Sequence, residues 1–110
     1  MGQVNKLSRN NTSVWSEDGD TFVRLHRTVV VTFSPSFVRL NTGGWYTVTT
    51  KTRMNQASNQ FGLAYHVYQK GYDWFVTLPS GEVIPFKDGV EFDRVTGKLI
   101  HRTGKRIDRG

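Results

Sequence analysis

Residues 47–62, TVTTKTRMNQASNQFG, have the pattern of a helix, and this is the main helix that the sequence predicts. Four positions recur at spacings of four, three and four residues, which places them on one stripe of a helix. These positions are Thr50, Met54, Ala57 and Phe61. Thr47 or Thr49 can cap the start through its hydroxyl, and Gly62 can end the helix in the left-handed conformation. We therefore predict a helix over about residues 49–61, with this stripe facing the core.

The opposite face of this helix is rich in amides and carries positive charge. Its polar residues are Thr52, Asn55, Gln56 and Asn59, and Lys51 and Arg53 flank them. Amide side chains can pair with adenine edges, and lysine or arginine with guanine or phosphate. The same face would suit an acidic protein partner. The alternative is that these amides are only the solvated side of an ordinary surface helix.

Strand patterns lie on both sides of the helix. TFVRLHRTVVVTF and FVRL precede it, and a series of short alternating segments follows it, separated by turn pairs such as Lys70-Gly71 and Asp88-Gly89. These patterns predict an α+β fold, an antiparallel meander sheet with one main helix packed on one face. We expect a single domain over residues 21–101, preceded by a flexible polar leader over residues 1–20.

The positive charge is concentrated at the C-terminal end. The 110-residue chain has a formal net charge of +6. Residues 94–110 hold six cations and one acid, whereas residues 1–93 hold nine cations and eight acids. Residues 102–110 are therefore predicted to form a basic arm. Such an arm attracts phosphate backbones or acidic proteins, or it is only a solvated tail.

Two aromatic residues on the strands that follow the helix have two possible roles. Tyr68 and Phe75, beside His66 and Lys70, could form a stacking platform for single-stranded nucleic acid. Strands from residues 21–40 could instead cover them and close a sandwich or barrel. Because large aromatic side chains are usually buried, we expect both to lie in the core.

The GGWYT segment before the helix also has two interpretations. Trp45 and Tyr46 are residue types that anchor protein interfaces, so the segment could be a binding loop. We favour the other interpretation, in which Trp45 staples the start of the helix to the core.

The sequence lacks a recognisable catalytic constellation. It contains no cysteine, and its histidines, His26, His66 and His101, have no metal-site spacing. The acids Asp88, Glu91 and Asp93 do not match a calcium loop and are expected to decorate a hairpin. We therefore expect no enzymatic activity, no metal and no cofactor. A small hydrolase or nuclease that uses His66 as its base is the least favoured alternative.

The segment from about Thr28 to Phe92 resembles a family of small uncharacterised proteins encoded by tailed phages and mobile elements. The resemblance is carried by LNTGGWYTVTTKTRMNQASNQFGLAYHVYQKGYDWFV and PSGEVIPFKDG. It implies a viral or plasmid origin and the host cytoplasm as the setting, and it supplies no established activity. Phage accessory proteins of this size are often binding proteins that blunt host defences or redirect host machinery. No apolar run approaches the length of a membrane span, so we expect no membrane partner.

These observations predict a non-enzymatic phage accessory protein that binds nucleic acid or a host complex containing it. The predicted contacts are Lys51, Arg53, Asn55, Gln56 and Asn59 on the helix, Tyr68, Lys70 and Phe75 on the strands, and Arg102, Lys105 and Arg106 in the arm. The alternative is a protein-targeting inhibitor of a host defence or transcription complex, similar in role to an anti-CRISPR protein. The near-neutral body favours that alternative more than the overall charge does.

Overall fold

One helix and eight strands make up residues 10–100, the part of the chain that the computed structural model describes. The elements in chain order are β1 (Thr12–Glu17), β2 (Asp20–Leu25), β3 (Thr28–Phe33), β4 (Phe37–Leu40), α1 (Val48–Phe61), β5 (His66–Lys70), β6 (Asp73–Thr77), β7 (Val83–Pro85) and β8 (Val90–Asp93). All strand pairs are antiparallel. The predicted α+β class with one main helix is confirmed.

The strands form two sheets rather than one continuous meander. The larger sheet has the order β1-β2-β3-β4-β8, and the smaller has the order β5-β6-β7. β8 returns to pair with β4, with Val38 opposite Phe92 and Arg39 opposite Glu91. The helix and the smaller sheet are therefore inserted between two neighbouring strands of the larger sheet.

The helix begins and ends at the predicted caps. The hydroxyl of Thr47 accepts a hydrogen bond from the backbone N–H of Thr50 at 3.1 Å, which satisfies one of the free donors of the first turn. Gly62 has φ 65°, and its N–H donates to the carbonyl of Ser58. The prediction of a helix over about 49–61 is confirmed, since α1 starts one residue earlier and ends at the same residue.

The apolar stripe of the helix joins one core that both sheets share. Met54 and Ala57 are fully buried, and Phe61 is half-buried with its ring centroid 5.0 Å from that of Phe33 in β3. The fully buried members contributed by the strands are Val23, Val30, Val31, Val38, Leu40, Val67, Val76 and Phe92. Removing this apolar area from water is the main stabilising contribution to the fold.

The predicted polar leader is wrong for residues 12–20. Thr12–Glu17 form β1, which pairs along its full length with β2, from Thr12 opposite Leu25 to Glu17 opposite Asp20. The sequence pattern concealed this strand because β1 is an edge strand whose residues are nearly all exposed, so it carries no apolar alternation. Residues 1–9 and the basic arm, including its predicted contacts Arg102, Lys105 and Arg106, lie outside the described residues.

Candidate nucleic-acid interface

Asn55 does not face solvent as predicted, because its amide is committed to the edge of the smaller sheet. Its Nδ2 donates to the carbonyl of Val67 and its Oδ1 accepts from the N–H of Val67, both at 2.8 Å. One turn further along the helix, the hydroxyl of Ser58 makes the same pair of bonds to the carbonyl and N–H of Tyr65, at 2.7 and 3.0 Å. These two side chains satisfy backbone groups on the free edge of β5, which would otherwise need another strand.

Gln56 and Arg53 are also used inside the protein, on the other flank of the helix. Gln56 is 8% exposed, and its Oε1 accepts from the Arg53 guanidinium at 3.4 Å. The Arg53 Nε donates to the hydroxyl of Thr12 in β1 at 3.0 Å. The prediction that Gln56 lies on an open face is therefore wrong. Both residues instead connect the helix to the first strand.

The remaining helix residues divide between the sheet edge and solvent. Lys51 donates through Nζ to the Gln69 side chain at 3.2 Å and lies 5.4 Å above the ring of Trp74. Asn59 is exposed near the end of the helix. The helix therefore does not present the continuous amide surface that base recognition in a groove would require.

The outer face of the smaller sheet carries the aromatic residues that we expected in the core. Tyr68 and Phe75 are half-buried, whereas Val67, Trp74 and Val76 on the opposite face are buried. The expectation of core burial is wrong because the strands of residues 21–40 do not cover this face. They belong to the larger sheet, whose apolar side chains share the common core with the helix and the inner face of β5 and β6.

Three rings form a stacked row on this outer face. Tyr68 lies opposite Phe75 in the strand register, and their ring centroids are 5.6 Å apart with an interplanar angle of 27°. The His66 ring lies 6.1 Å from that of Tyr68 at 17°. Pro85 of β7 lies opposite Phe75 and extends the row across the sheet. The register thus aligns Tyr68, Phe75 and Pro85 across three neighbouring strands.

The rest of the outer face is mostly polar. By strand alternation it also includes Lys70, Asp73, Thr77 and Val83. None of its residues is buried, and Lys70 and Asp73 balance each other in formal charge. Lys51 contacts Gln69 and Trp74, which point to the opposite side of the sheet, so it adds no charge to this face.

The acids that the sequence placed on a hairpin have separate structural roles. Glu91 is 3% exposed and pairs with Arg39 at 3.2 Å. Asp88 accepts from both the N–H and the hydroxyl of Thr42, and Asp93 accepts from the N–H groups of Val95 and Thr96. Among residues 10–100, no group of three or more histidine or acidic side chains is arranged to hold a metal ion.

Trp45 does not staple the helix start to the core, so the favoured interpretation of GGWYT is wrong. Its side chain is 66% exposed, and Val48 in the first turn of the helix is 71% exposed. Tyr46 is the anchored member of the segment, with its ring edge-on to Trp74 at 5.0 Å. Gly43 and Gly44, directly before Trp45, both have positive φ, a backbone conformation that glycine adopts without strain.

The chain matches a family model described as Kyanoviridae Gp96 protein over residues 2–93. It belongs to this family. The predicted resemblance to small proteins encoded by phages is thereby confirmed, since this is a cyanophage family. A search of curated proteins and a search of solved structures gave no significant match.

The Gp96 match covers the helix and both sheets, including β1, and ends before the basic arm. Tyr68, Phe75 and Trp45 all lie within it. No helix among residues 10–100 has the length and apolar character needed to cross a membrane.

Proposed function

We propose that this Gp96-family protein is a non-enzymatic phage accessory protein that binds single-stranded nucleic acid, alone or within a host complex, on the outer face of β5–β7. The observation that carries this proposal is the stacked row of His66, Tyr68 and Phe75 on a sheet face none of whose residues is buried. A contiguous group of apolar rings that the fold leaves partly open to solvent is a candidate binding surface.

The chemistry of this face favours a single strand over a duplex. Unpaired bases can stack on aromatic rings, and each such contact contributes about 1–3 kcal/mol to binding. In a duplex the bases are already stacked on each other, and a flat sheet face cannot reach their edges. The helix that would have entered a groove is instead held against β1 and β5 by Arg53 and Asn55.

Phosphate attraction must come from around the row of rings, because the face itself is close to neutral. Lys70 lies at the end of β5 and, by strand alternation, on this face. The arm residues Arg102, Lys105 and Arg106 would supply further positive charge. Binding with this division of roles depends on ring stacking for the bases and on lysine and arginine for the backbone.

The proposal is tested by measuring anisotropy with labelled single-stranded DNA and RNA and with the matching duplexes. We expect the single strands to bind more tightly than the duplexes. Tyr68→Ala and Phe75→Ala should each weaken single-strand binding by about tenfold, as expected for the loss of one stacking contact.

A matched control is available on the larger sheet. Trp15 is 37% exposed and stacks on Phe22 at 5.3 Å, but Glu17 and Asp20 lie on the neighbouring positions of the same hairpin. Trp15→Ala should leave the affinity unchanged. Equal affinity of the wild type, Tyr68→Ala and Phe75→Ala would refute the proposed face.

Exposed apolar residues at the start of the helix favour a second candidate function, inhibition of a host protein complex. The exposed fractions of Trp45, Tyr46 and Val48 are 66%, 50% and 71%. All three residues lie within positions 45–48 of the chain. A cluster containing tryptophan and tyrosine is typical of an interface centre. This function predicts that the tagged protein captures one host protein from lysate, that nuclease treatment leaves the capture intact, and that Val48→Asp abolishes it.

A further inference from the structure

A groove of about 520 Å³ lies between the β2–β3 turn and the start of α1. The turn contributes His26, Arg27 and Thr28, and the other wall includes Trp45 and Thr49. This volume falls within the range of about 300–1,000 Å³ that small-molecule sites occupy. The groove shares no lining residue with the outer face of β5–β7.

The walls of this groove are held in place by contacts behind them. Thr42 is fully buried, and its N–H and hydroxyl donate to the Asp88 carboxylate at 2.7 and 2.8 Å. Gly43 approaches the turn so closely that a Cβ at this position would lie 2.8 Å from the Thr28 side chain. The segment before the helix and the β2–β3 turn are therefore packed against each other, and the groove is formed before any ligand arrives.

The charge that lines the groove favours an anion. Arg27 supplies it, no acid lines the groove, and the Asp88 carboxylate is engaged by Thr42. Within residues 10–100, the Arg27 guanidinium has no hydrogen bond or ion pair. An uncommitted guanidinium is the side chain best suited to hold a phosphate, because it offers several donors in one plane.

Trp45 gives the same groove a surface for an aromatic ring. Its indole is 66% exposed and stacks on no other ring among the described residues. The hydroxyls of Thr28 and Thr49 line the groove without a partner in the described part of the chain. An indole plane, free hydroxyls and a guanidinium together fit a ligand that has a ring, a polar middle and an anionic end.

We propose that this groove binds a nucleoside phosphate, with its base against Trp45 and its phosphate at Arg27. The site is separate from the outer face of β5–β7 and does not depend on the function proposed for that face. The ligand is a free nucleotide or the phosphorylated end of a strand, since both present the same base and phosphate.

Isothermal titration calorimetry with ribonucleoside and deoxyribonucleoside mono- and triphosphates tests the site directly. We expect saturable binding of at least one of these nucleotides to the full-length protein, and inorganic phosphate alone should bind far more weakly. Arg27→Gln and Trp45→Ala should each lower the affinity by about tenfold or more. Trp45→Phe keeps a ring at this position and should retain most of the affinity.

Two further measurements separate this site from the sheet face and identify the source of the ligand. The Tyr68→Ala/Phe75→Ala double variant should bind nucleotides like the wild type, whatever it does to single strands. Saturable binding of an oligonucleotide with a 5′-phosphate, but not of free nucleotides, would assign the groove to strand ends. If no nucleotide and no phosphorylated oligonucleotide binds saturably, or if Arg27→Gln and Trp45→Ala both bind like the wild type, the proposal is wrong.

Discussion

Tyr65 is the residue whose ionisation is coupled to folding. It is 5% exposed, its ring packs edge-on to Phe92 at 5.7 Å, and its hydroxyl donates to the carbonyl of Met54 in the helix. Burial raises the pKa of the Tyr65 hydroxyl far above its ordinary value, because the phenolate would lose its hydration. The folded protein therefore holds this proton more tightly than the unfolded chain does.

This difference predicts how stability depends on pH. Tyr65 contributes its full stabilisation below the unfolded pKa of about 10, and the free energy of unfolding should fall as pH rises above that value. Tyr65→Phe should lose about 1 kcal/mol near neutral pH with the hydrogen bond to Met54, and it should show a smaller alkaline decline. Urea unfolding measured from about pH 7 to 11 checks both. Parallel pH profiles for the two proteins would contradict the assignment.

The positions of some side chains could be predicted from the sequence, and those of others could not. The buried stripe of Thr50, Met54 and Ala57 was predictable because helical spacing alone defines it. The role of Asn55 was not, since its partner is a backbone edge twelve residues away and a polar residue on a helix is assumed to face water. Phe75 was misplaced because the average tendency of aromatic rings to be buried does not say which sheet faces are covered.

The contact between α1 and β5 is made by helix side chains that hydrogen-bond to the backbone at the sheet edge, as a neighbouring strand would. Asn55 and Ser58, three residues apart on the helix, bond to Val67 and Tyr65, two residues apart on the chain. Lys51 reaches Gln69 on the same strand. This arrangement explains why a helix that faces a sheet is so rich in amides and hydroxyls.

Asn55→Leu tests this docking. The substitution removes two hydrogen bonds and leaves the N–H and carbonyl of Val67 without a partner, so we expect a loss of about 2–4 kcal/mol in the free energy of unfolding. Thr52→Ala is a control on the same helix. Thr52 is half-buried and makes no hydrogen bond within residues 10–100, so its loss should be within about 0.5 kcal/mol. Equal losses in the two variants would show that the amide does not dock the helix.

The elements themselves were largely predictable, but their assembly was not. Turn residues and alternation located the strands near β2 to β8, and Thr47 and Gly62 marked the helix ends. The return of β8 to β4 could not be deduced, because Arg39 and Glu91 lie far apart in the chain and no turn signal links them.

Charge is distributed unevenly between residues 10–100 and the basic arm. Residues 10–100 carry nine cations and eight acids, so most of the net charge of +6 lies outside them. The family match ends at residue 93, before the arm begins. We therefore expect the arm to change how strongly binding depends on salt, rather than which partner is bound.

Deletion of residues 102–110 tests this expectation. Four cations are lost, Arg102, Lys105, Arg106 and Arg109, and each phosphate contact contributes about 0.7 to the salt slope for a single strand. The slope of log affinity against log salt should become shallower by up to about 3. Tyr68→Ala should lower the affinity at every salt concentration without changing that slope. Binding curves unaltered by the deletion would remove the arm from the proposed function.

The hydrogen bonds from Asn55 and Ser58 to Val67 and Tyr65 fix the number of residues that connect the helix to the strand. One extra residue before Tyr65 would bring the next backbone amide into the wrong orientation and would exchange the inward and outward sides of β5. The whole His66, Tyr68 and Phe75 row would then be dismantled by a change that touches none of its rings.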